Sequence, residues 1–174
     1  MPVWQYKKGA LTTMRIISEA MNGGKIPERF GKFGSEFSNS GVPSRSIPFS
    51  IAEAPAGTVS YAIELFDVDS VPVCGFVWIH WLAANIIANY VPENVSINAD
   101  FVQGVNSWFG SDGKDASIGY GGMAPPDKPH TYTLKVYALD CKLDLQNGFF
   151  YNEIIHAMKG HVLATAEAEG IYKN

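Results

Sequence analysis

Alternating apolar and polar positions along the chain predict several β-strands and few helices. The clearest alternation covers residues 130–140, HTYTLKVYALD. One face of this predicted strand carries His130, Tyr132, Leu134, Val136 and Ala138. We expect this face to be buried, so His130 and Tyr132 should point inward although both are polar.

Shorter patterns predict further elements. Residues 11–18 are predicted to form a first strand, residues 59–67 alternate as a strand, and the alternation of residues 161–172 favours a strand over a helix. Residues 46–51 are predicted to form a short edge strand, where Pro48 is tolerated. Apolar residues at helical spacing between residues 151 and 158 predict a short amphipathic helix that ends at Gly160.

Residues 76–82, FVWIHWL, are apolar on both faces, which is typical of a central strand covered on both sides. The pattern places His80 on one face with Phe76, Trp78 and Leu82. It assigns Phe76, Trp78 and Trp81 to the core. A buried imidazole needs a partner, because an unpaired buried polar group costs about 1–3 kcal/mol. Asp67 and Asp69, at the end of the preceding strand, are the candidate partners.

Residues 103–129 are predicted to form a long loop that contains six glycines. Long loops inside a globular domain are uncommon and are usually functional or mobile. Successive backbone amides of such a loop can form a nest for an anion. Together with His80, His130, Tyr132 and the two aspartates, this loop predicts a small anion pocket where strand ends meet.

The predicted elements favour a mainly β fold, a sandwich with a few short peripheral helices. No linker or repeat divides residues 1–174, so we expect a single domain. With 47% hydrophobic and 17% charged residues, the chain is large enough for one core. A net charge of −4 argues against a nucleic-acid partner.

The sequence contains no apolar run long enough for a membrane span and no basic-then-apolar start typical of a signal peptide. We therefore expect a cytoplasmic protein. The two cysteines, Cys74 and Cys141, fit no zinc-binding spacing, and we expect two partly buried thiols without a disulfide. No cofactor or metal is predicted.

Several short motifs follow one another along the chain. They are DVDSVP at 67–72, IHW at 79–81 with NI at 85–86, QGVNS at 103–107, GYGGMAPP at 119–126, PHTY at 129–132 with YALD at 137–140, and GHVLA at 160–164 with GIY at 170–172. Together they resemble the signature of the phosphatidylethanolamine-binding protein family, and most closely its prokaryotic Raf-kinase-inhibitor-like branch. The resemblance spans about residues 11–173.

This resemblance implies a β-sandwich with a small surface cavity that binds phosphate-like anions. The pocket residues that it implies are Asp67, Asp69, His80, the backbone around Gly122 and Ala124, His130 and Tyr132, with Tyr172 near the rim. The chain departs from the family pattern at Val68 and Met123, where proline is usual, and at Thr131, where arginine is usual. We expect the first two changes to loosen their loops. Thr131 should point away from the pocket.

Three functions remain open at this stage. The first is a binding module that holds a phosphorylated head group or another small anion without chemistry. The second is a hydrolase or metal-dependent enzyme that uses Asp67, His80 and His130. The third is a regulatory protein whose pocket recognises a phosphorylated segment of a partner protein. A homodimer is plausible in each case.

Overall fold

The computed structural model describes residues 13–174, and two antiparallel sheets make up most of the regular structure. The strands are β1 Arg15–Ile17, β2 Phe49–Ala52, β3 Ser60–Asp67, β4 Trp78–Ile86, β5 Tyr90–Val91, β6 Val102–Gln103, β7 His130–Leu139 and β8 Val162–Tyr172. One sheet has three strands in the order β1-β2-β5, and the other has five in the order β6-β4-β3-β7-β8. The predicted mainly β fold is confirmed.

The helices are short and lie outside the sheets' strands: α1 Val71–Cys74, α2 Phe109–Asp112 and α3 Tyr151–Ala157, with 3₁₀ turns at Glu28–Phe30, Val95–Asn98 and Asp115–Ser117. The predicted helix near residue 151 is α3. Its first turn is capped by Glu153, whose Oε2 accepts the Phe150 N–H at 2.7 Å. Gly160, at φ 85°, reverses the chain before β8, as the sequence indicates.

Both faces of the five-stranded sheet are covered. Its inner face packs against the three-stranded sheet, and the buried cluster between them includes Phe49, Ile51, Ile63, Leu65, Trp81, Leu134 and Val136. Its outer face packs against α3, with a second cluster that includes Ala62, Leu82, Tyr137, Leu139, Ile154 and Met158. The two-sided cover predicted for residues 76–82 is therefore confirmed for the part of that segment that lies in β4.

The alternation of β4 is interrupted at His80. Leu65 of β3 pairs with Trp81, whereas Phe66 pairs with Ile79, so His80 has no partner in β3 and forms a bulge. The His80 ring lies against Tyr132 of the inner cluster, with centroids 5.1 Å apart, whereas Leu82 belongs to the outer cluster. The prediction that His80 and Leu82 share a face is wrong, because the extra residue shifts the alternation by one position.

The start of the apolar run also differs from its prediction. Gly75, at φ 92°, ends α1, and β4 begins only at Trp78. Phe76 is 49% exposed and is not part of the core, Trp78 is half-buried, and Trp81 alone of the three predicted core aromatics is fully buried. An apolar run shows which residues can be buried, but the turn before a strand decides where burial starts.

Two other strand predictions need correction. The predicted edge strand at 46–51 is β2, which starts after Pro48 and lies in the middle of its sheet, between β1 and β5. Because Pro48 precedes the strand, it removes no hydrogen bond from the ladder. The strand predicted at 11–18 is observed as β1, and Leu11 and Thr12 lie outside the described residues. No helix within residues 13–174 has the length and apolar character to cross a membrane.

Candidate functional site

A cavity of about 160 Å³ lies where β3 ends and β4 and β7 begin. Because β3 is antiparallel to both neighbours, its last residue, Asp67, pairs with Trp78 on one side and Tyr132 on the other. This register brings together side chains that are distant in sequence. The lining comprises Asp67, Ser70, Val73, Cys74, Trp78, His80, Trp108, Ala124, Pro125, Pro126, His130 and Tyr132.

His130 lies between two carboxylates at the floor of the cavity. Its Nδ1 is 2.7 Å from Asp67 Oδ2, and its Nε2 is 2.8 Å from Asp127 Oδ1. Burial lowers the pKa of His130, but the hydrogen bonds and charges of the two carboxylates outweigh burial and raise the pKa above the ordinary value. A doubly protonated ring is the only form that donates to both carboxylates. The buried Asp67–His130 pair is therefore formally neutral.

His80 is held in a different protonation state. Its Nδ1 lies 2.6 Å from the Gly121 carbonyl oxygen, so this nitrogen must carry a proton and donate it. Burial lowers the pKa of His80, and the hydrogen bond to Gly121 and the charge of Asp67 only partly offset this effect. The ring is thus neutral near pH 7, and Nε2 presents a lone pair.

Three donor groups on residues that line the cavity lack partners among residues 13–174. The Tyr132 hydroxyl makes no hydrogen bond to any described residue, and burial together with the charge of Asp67 raises the pKa of Tyr132. It therefore stays protonated and can donate. The indole N–H groups of Trp78 and Trp108 are buried and unpaired within the described chain. Each unpaired buried donor costs about 1–3 kcal/mol.

Three residues that the family resemblance assigns to the pocket lie outside its lining. Asp69 Oδ2 accepts the Thr131 N–H at 2.9 Å and so fixes the start of β7. Gly122 donates its N–H to the Pro43 carbonyl at 2.8 Å, and this amide is not free for an anion. Tyr172 is buried, and its hydroxyl donates to the Glu28 carbonyl at 2.7 Å. Asp67, His80, Ala124, His130 and Tyr132 do line the cavity, and their binding role stays a prediction.

Gly122 is required for close packing. A Cβ at this position would lie 2.6 Å from the Phe30 carbonyl oxygen and 2.7 Å from Pro43 Cβ, and neither atom belongs to a flexible side-chain end. We expect Gly122→Ala to lower the free energy of unfolding by about 1–3 kcal/mol or more, as overpacking does. Gly110→Ala is the matched control, since nothing lies within 4 Å of its Cβ position. Equal urea midpoints for the two variants would contradict this explanation.

The sequence reasoning missed Asp127 and Trp108. Asp127 precedes His130 by three residues across Pro129, and this spacing could have indicated a second carboxylate for the ring. Trp108 follows the QGVNS motif and carried no signal, because only the tertiary fold brings it to Trp78, with ring centroids 5.3 Å apart. The loop that contains it is tied to β4, since Gly104 N–H donates to Leu82 and Gly121 N–H donates to His80.

The departures from the family pattern leave the cavity formed. Thr131 lies outside the lining, as predicted. Met123 is fully buried, and its carbonyl accepts the Lys32 N–H at 2.8 Å, so the loop is held at the position where a proline is usual. Val68 is 50% exposed, and the turn after Asp67 is held instead by Ser70, whose N–H donates to Asp67 Oδ1 at 3.1 Å.

A second cavity of about 520 Å³ lies on the outer face of the five-stranded sheet. Its polar groups pair with one another or with neighbours: the Tyr137 hydroxyl donates to buried Glu64, and Lys135 pairs with Glu167 at 2.7 Å. None of the predicted site residues lines it. The smaller cavity is therefore the candidate site.

Comparisons with known proteins agree with this fold. A profile of the family described as phosphatidylethanolamine-binding protein matches residues 17–173. The protein YxkA of Bacillus subtilis strain 168 is 41% identical over 153 residues, which are 83% of this chain and 91% of YxkA. The segment matched by the family profile includes all of the residues that line the cavity.

Solved structures give the same result. A crystal structure described as a phosphatidylethanolamine-binding protein homolog, CT736 of Chlamydia trachomatis, has a TM-score of 0.78 at 30% identity and covers 94% of this chain and 99% of its own. Escherichia coli YbcL, described as a member of the mammalian family of that name, has a TM-score of 0.73 at 26% identity, with coverages of 92% and 98%. The fold is thus shared over more than nine tenths of this chain.

Proposed function

This chain belongs to the phosphatidylethanolamine-binding protein family, and from that premise we propose that its cavity binds one small anion, a phosphate group either free or at the end of a larger molecule, without catalysing a reaction. The observation that carries the proposal is the set of unpaired donors around the cavity: the Tyr132 hydroxyl and the indole N–H groups of Trp78 and Trp108. The two indole N–H groups only donate and the phenol can donate, which favours a ligand that accepts hydrogen bonds.

The buried Asp67 carboxylate is paired with His130, and the second carboxylate on that ring, Asp127, is 48% exposed to solvent and does not line the cavity. A cavity of about 160 Å³ has room for a small head group and is below the size of typical drug-like pockets. Ala124, Pro125 and Pro126 form the wall contributed by the glycine-rich loop. The features that support binding are thus the hydrogen-bond donors, the pairing of the buried carboxylate and the size of the cavity, and not a nest of glycine amides.

The enzyme alternative would use Asp67, His80 and His130, and the geometry favours it less. Within the described chain these three residues do not bring their ligand atoms within 4.8 Å of one another. Ser70 is engaged, since its hydroxyl donates to the Asp67 carbonyl at 2.7 Å. The Cys74 thiol lies 3.3 Å from the carbonyls of Ser70 and Phe76 and makes no hydrogen bond to either histidine.

The test is a calorimetric titration with inorganic phosphate, phosphoethanolamine and a phosphoserine peptide. Tyr132→Phe removes one donor and leaves no group unpaired, so we expect at least tenfold weaker binding with unchanged stability. Tyr90→Phe, at a residue that is 53% exposed, is the matched control.

Each ligand answers a separate question. Binding of the peptide more tightly than phosphate would indicate the regulatory form of the proposal, recognition of a phosphorylated partner segment. Equal affinities of wild type and Tyr132→Phe would contradict the proposal. Turnover of phosphate or carboxylate esters that His130→Ala abolishes would replace it with the enzyme alternative.

A further inference from the structure

A second group of reactive side chains lies at the far end of β7, about 30 Å along that strand from His130. Asp140 and Cys141 follow the last residue of β7, and His161 precedes the first residue of β8. Because β7 and β8 are antiparallel, these positions meet where the ladder ends, beyond the Leu139–Val162 pair. The group shares no residue with the cavity described above.

The three side chains already converge. His161 Nδ1 lies 2.8 Å from Asp140 Oδ1, and one ligand atom from each of Asp140, Cys141 and His161 lies within 4.8 Å of the other two. It is the one such group of three His, Cys, Asp or Glu residues within residues 13–174. His161 and Asp140 side chains are 47% and 31% exposed, so a dissolved ion can reach them.

The backbone beneath this group is fixed. Asp140 N–H donates to the His161 carbonyl at 3.1 Å, which joins the two segments directly. The Cys141 carbonyl accepts a hydrogen bond at 2.5 Å from the hydroxyl of Ser60, a fully buried residue of β3. A rigid backbone leaves only side-chain rotations to bring the ligand atoms together, which reduces the entropy that binding must offset.

We propose that Asp140, Cys141 and His161 form a zinc site, with water as the fourth ligand. Thiolate, imidazole and carboxylate are the three ligand types that Zn²⁺ takes in proteins, and three protein ligands plus water is a common tetrahedral arrangement. At bond lengths of about 2.0–2.3 Å, tetrahedral ligand atoms lie roughly 3.3–3.8 Å apart. The observed ligand atoms, all within 4.8 Å of one another, lie near these separations.

The charges also suit a divalent cation. A Cys141 thiolate and the Asp140 carboxylate together neutralise Zn²⁺. Because a thiol must lose its proton to ligate Zn²⁺, binding should release at least one proton.

The experiment uses the full chain without a histidine tag. Zn²⁺ is titrated in competition with a chromophoric chelator, and Co²⁺ is titrated separately because a cobalt–thiolate bond gives a charge-transfer absorption. We expect one metal ion per chain, a cobalt–thiolate band, and release of at least one proton at pH 7. Cys141→Ser and His161→Ala should each weaken Zn²⁺ binding at least tenfold, and Cys141→Ser should remove the band.

The chain supplies matched controls for both ligands. Cys74→Ser changes the other cysteine, and His156→Ala changes another exposed histidine. Both controls should bind Zn²⁺ as wild type does, and a thermal melt of each variant without metal checks that the fold is retained. A cobalt–thiolate band that Cys74→Ser removes, equal Zn²⁺ affinities of wild type and Cys141→Ser, or fewer than one ion per chain would each overturn the proposal.

Discussion

Asp67→Ala is expected to lower the free energy of unfolding by about 3 kcal/mol or more, as removal of one partner of a buried ion pair does. Asp67 and His130 are 3% and 1% exposed, and their charges neutralise each other at a distance of 2.7 Å. The substitution leaves the imidazolium without its buried partner and also leaves the Ser70 N–H without its acceptor. Urea unfolding at pH 6 measures the loss.

Asp127→Ala is the matched control, because it removes the other carboxylate of the same histidine. Its side chain is 48% exposed, and exposed ion pairs contribute little to stability, so its effect should be much smaller. The two variants also differ in what pH does to them. Since the folded-state pKa of His130 is raised, the stability from its charged pairs is present below the unfolded value of about 6.5 and is lost as pH rises through the folded value.

The difference between wild type and Asp67→Ala should accordingly shrink when the unfolding experiment is repeated at pH 9. Equal losses for the Asp67 and Asp127 variants at pH 6 would show that burial does not distinguish the two carboxylates. A difference that grows with pH would mean that His130 is neutral in the folded protein.

The affinity for sulfate is expected to fall about 100-fold between pH 6.5 and pH 8.5, or tenfold per unit, because binding takes up one proton. Sulfate offers only acceptors at these pH values, whereas His80 Nε2 carries a lone pair in the free protein. The ring must gain a proton to donate to the ion. Since burial lowers the pKa of His80, this proton is not bound beforehand.

Phosphate should show a weaker dependence over the lower part of this range. Its second pKa, near 6 for a monoester, lets the ligand bring a proton that it can donate to the neutral ring. In His80→Gln the side-chain amide donates at every pH, so most of the dependence should disappear. Any dependence of the sulfate affinity on pH that remains in His80→Gln comes from titration of the groups around the ring, Asp67, His130 and Tyr132. A wild-type sulfate affinity independent of pH would contradict the assigned state of His80.

The sequence alone predicted the strands that form the site. The alternation over residues 130–140 placed His130 and Tyr132 on the buried face of β7, and both are buried. The order of motifs also indicated the family and the mainly β fold. These features depend on side-chain period and local order, which are properties of neighbouring residues.

The bulge at His80 could not be predicted in the same way. Its position depends on the pairing of β4 with β3. The pattern of apolar residues within β4 does not indicate which of its residues lacks a partner in β3. The free donors of Trp78 and Trp108 were missed for a related reason, because hydrogen-bond satisfaction is decided by groups distant in sequence.

The two cysteines illustrate the same division. Their spacing matches no metal-binding pattern, yet the pairing of β7 with β8 places Cys141 beside Asp140 and His161. By itself the sequence determined the longer strands, the buried face of β7 and the family. Only the tertiary structure decided which polar atoms have hydrogen-bond partners and which do not. The reason is that the antiparallel register brings together residues that are far apart in the sequence, and their spacing along the chain does not predict these contacts.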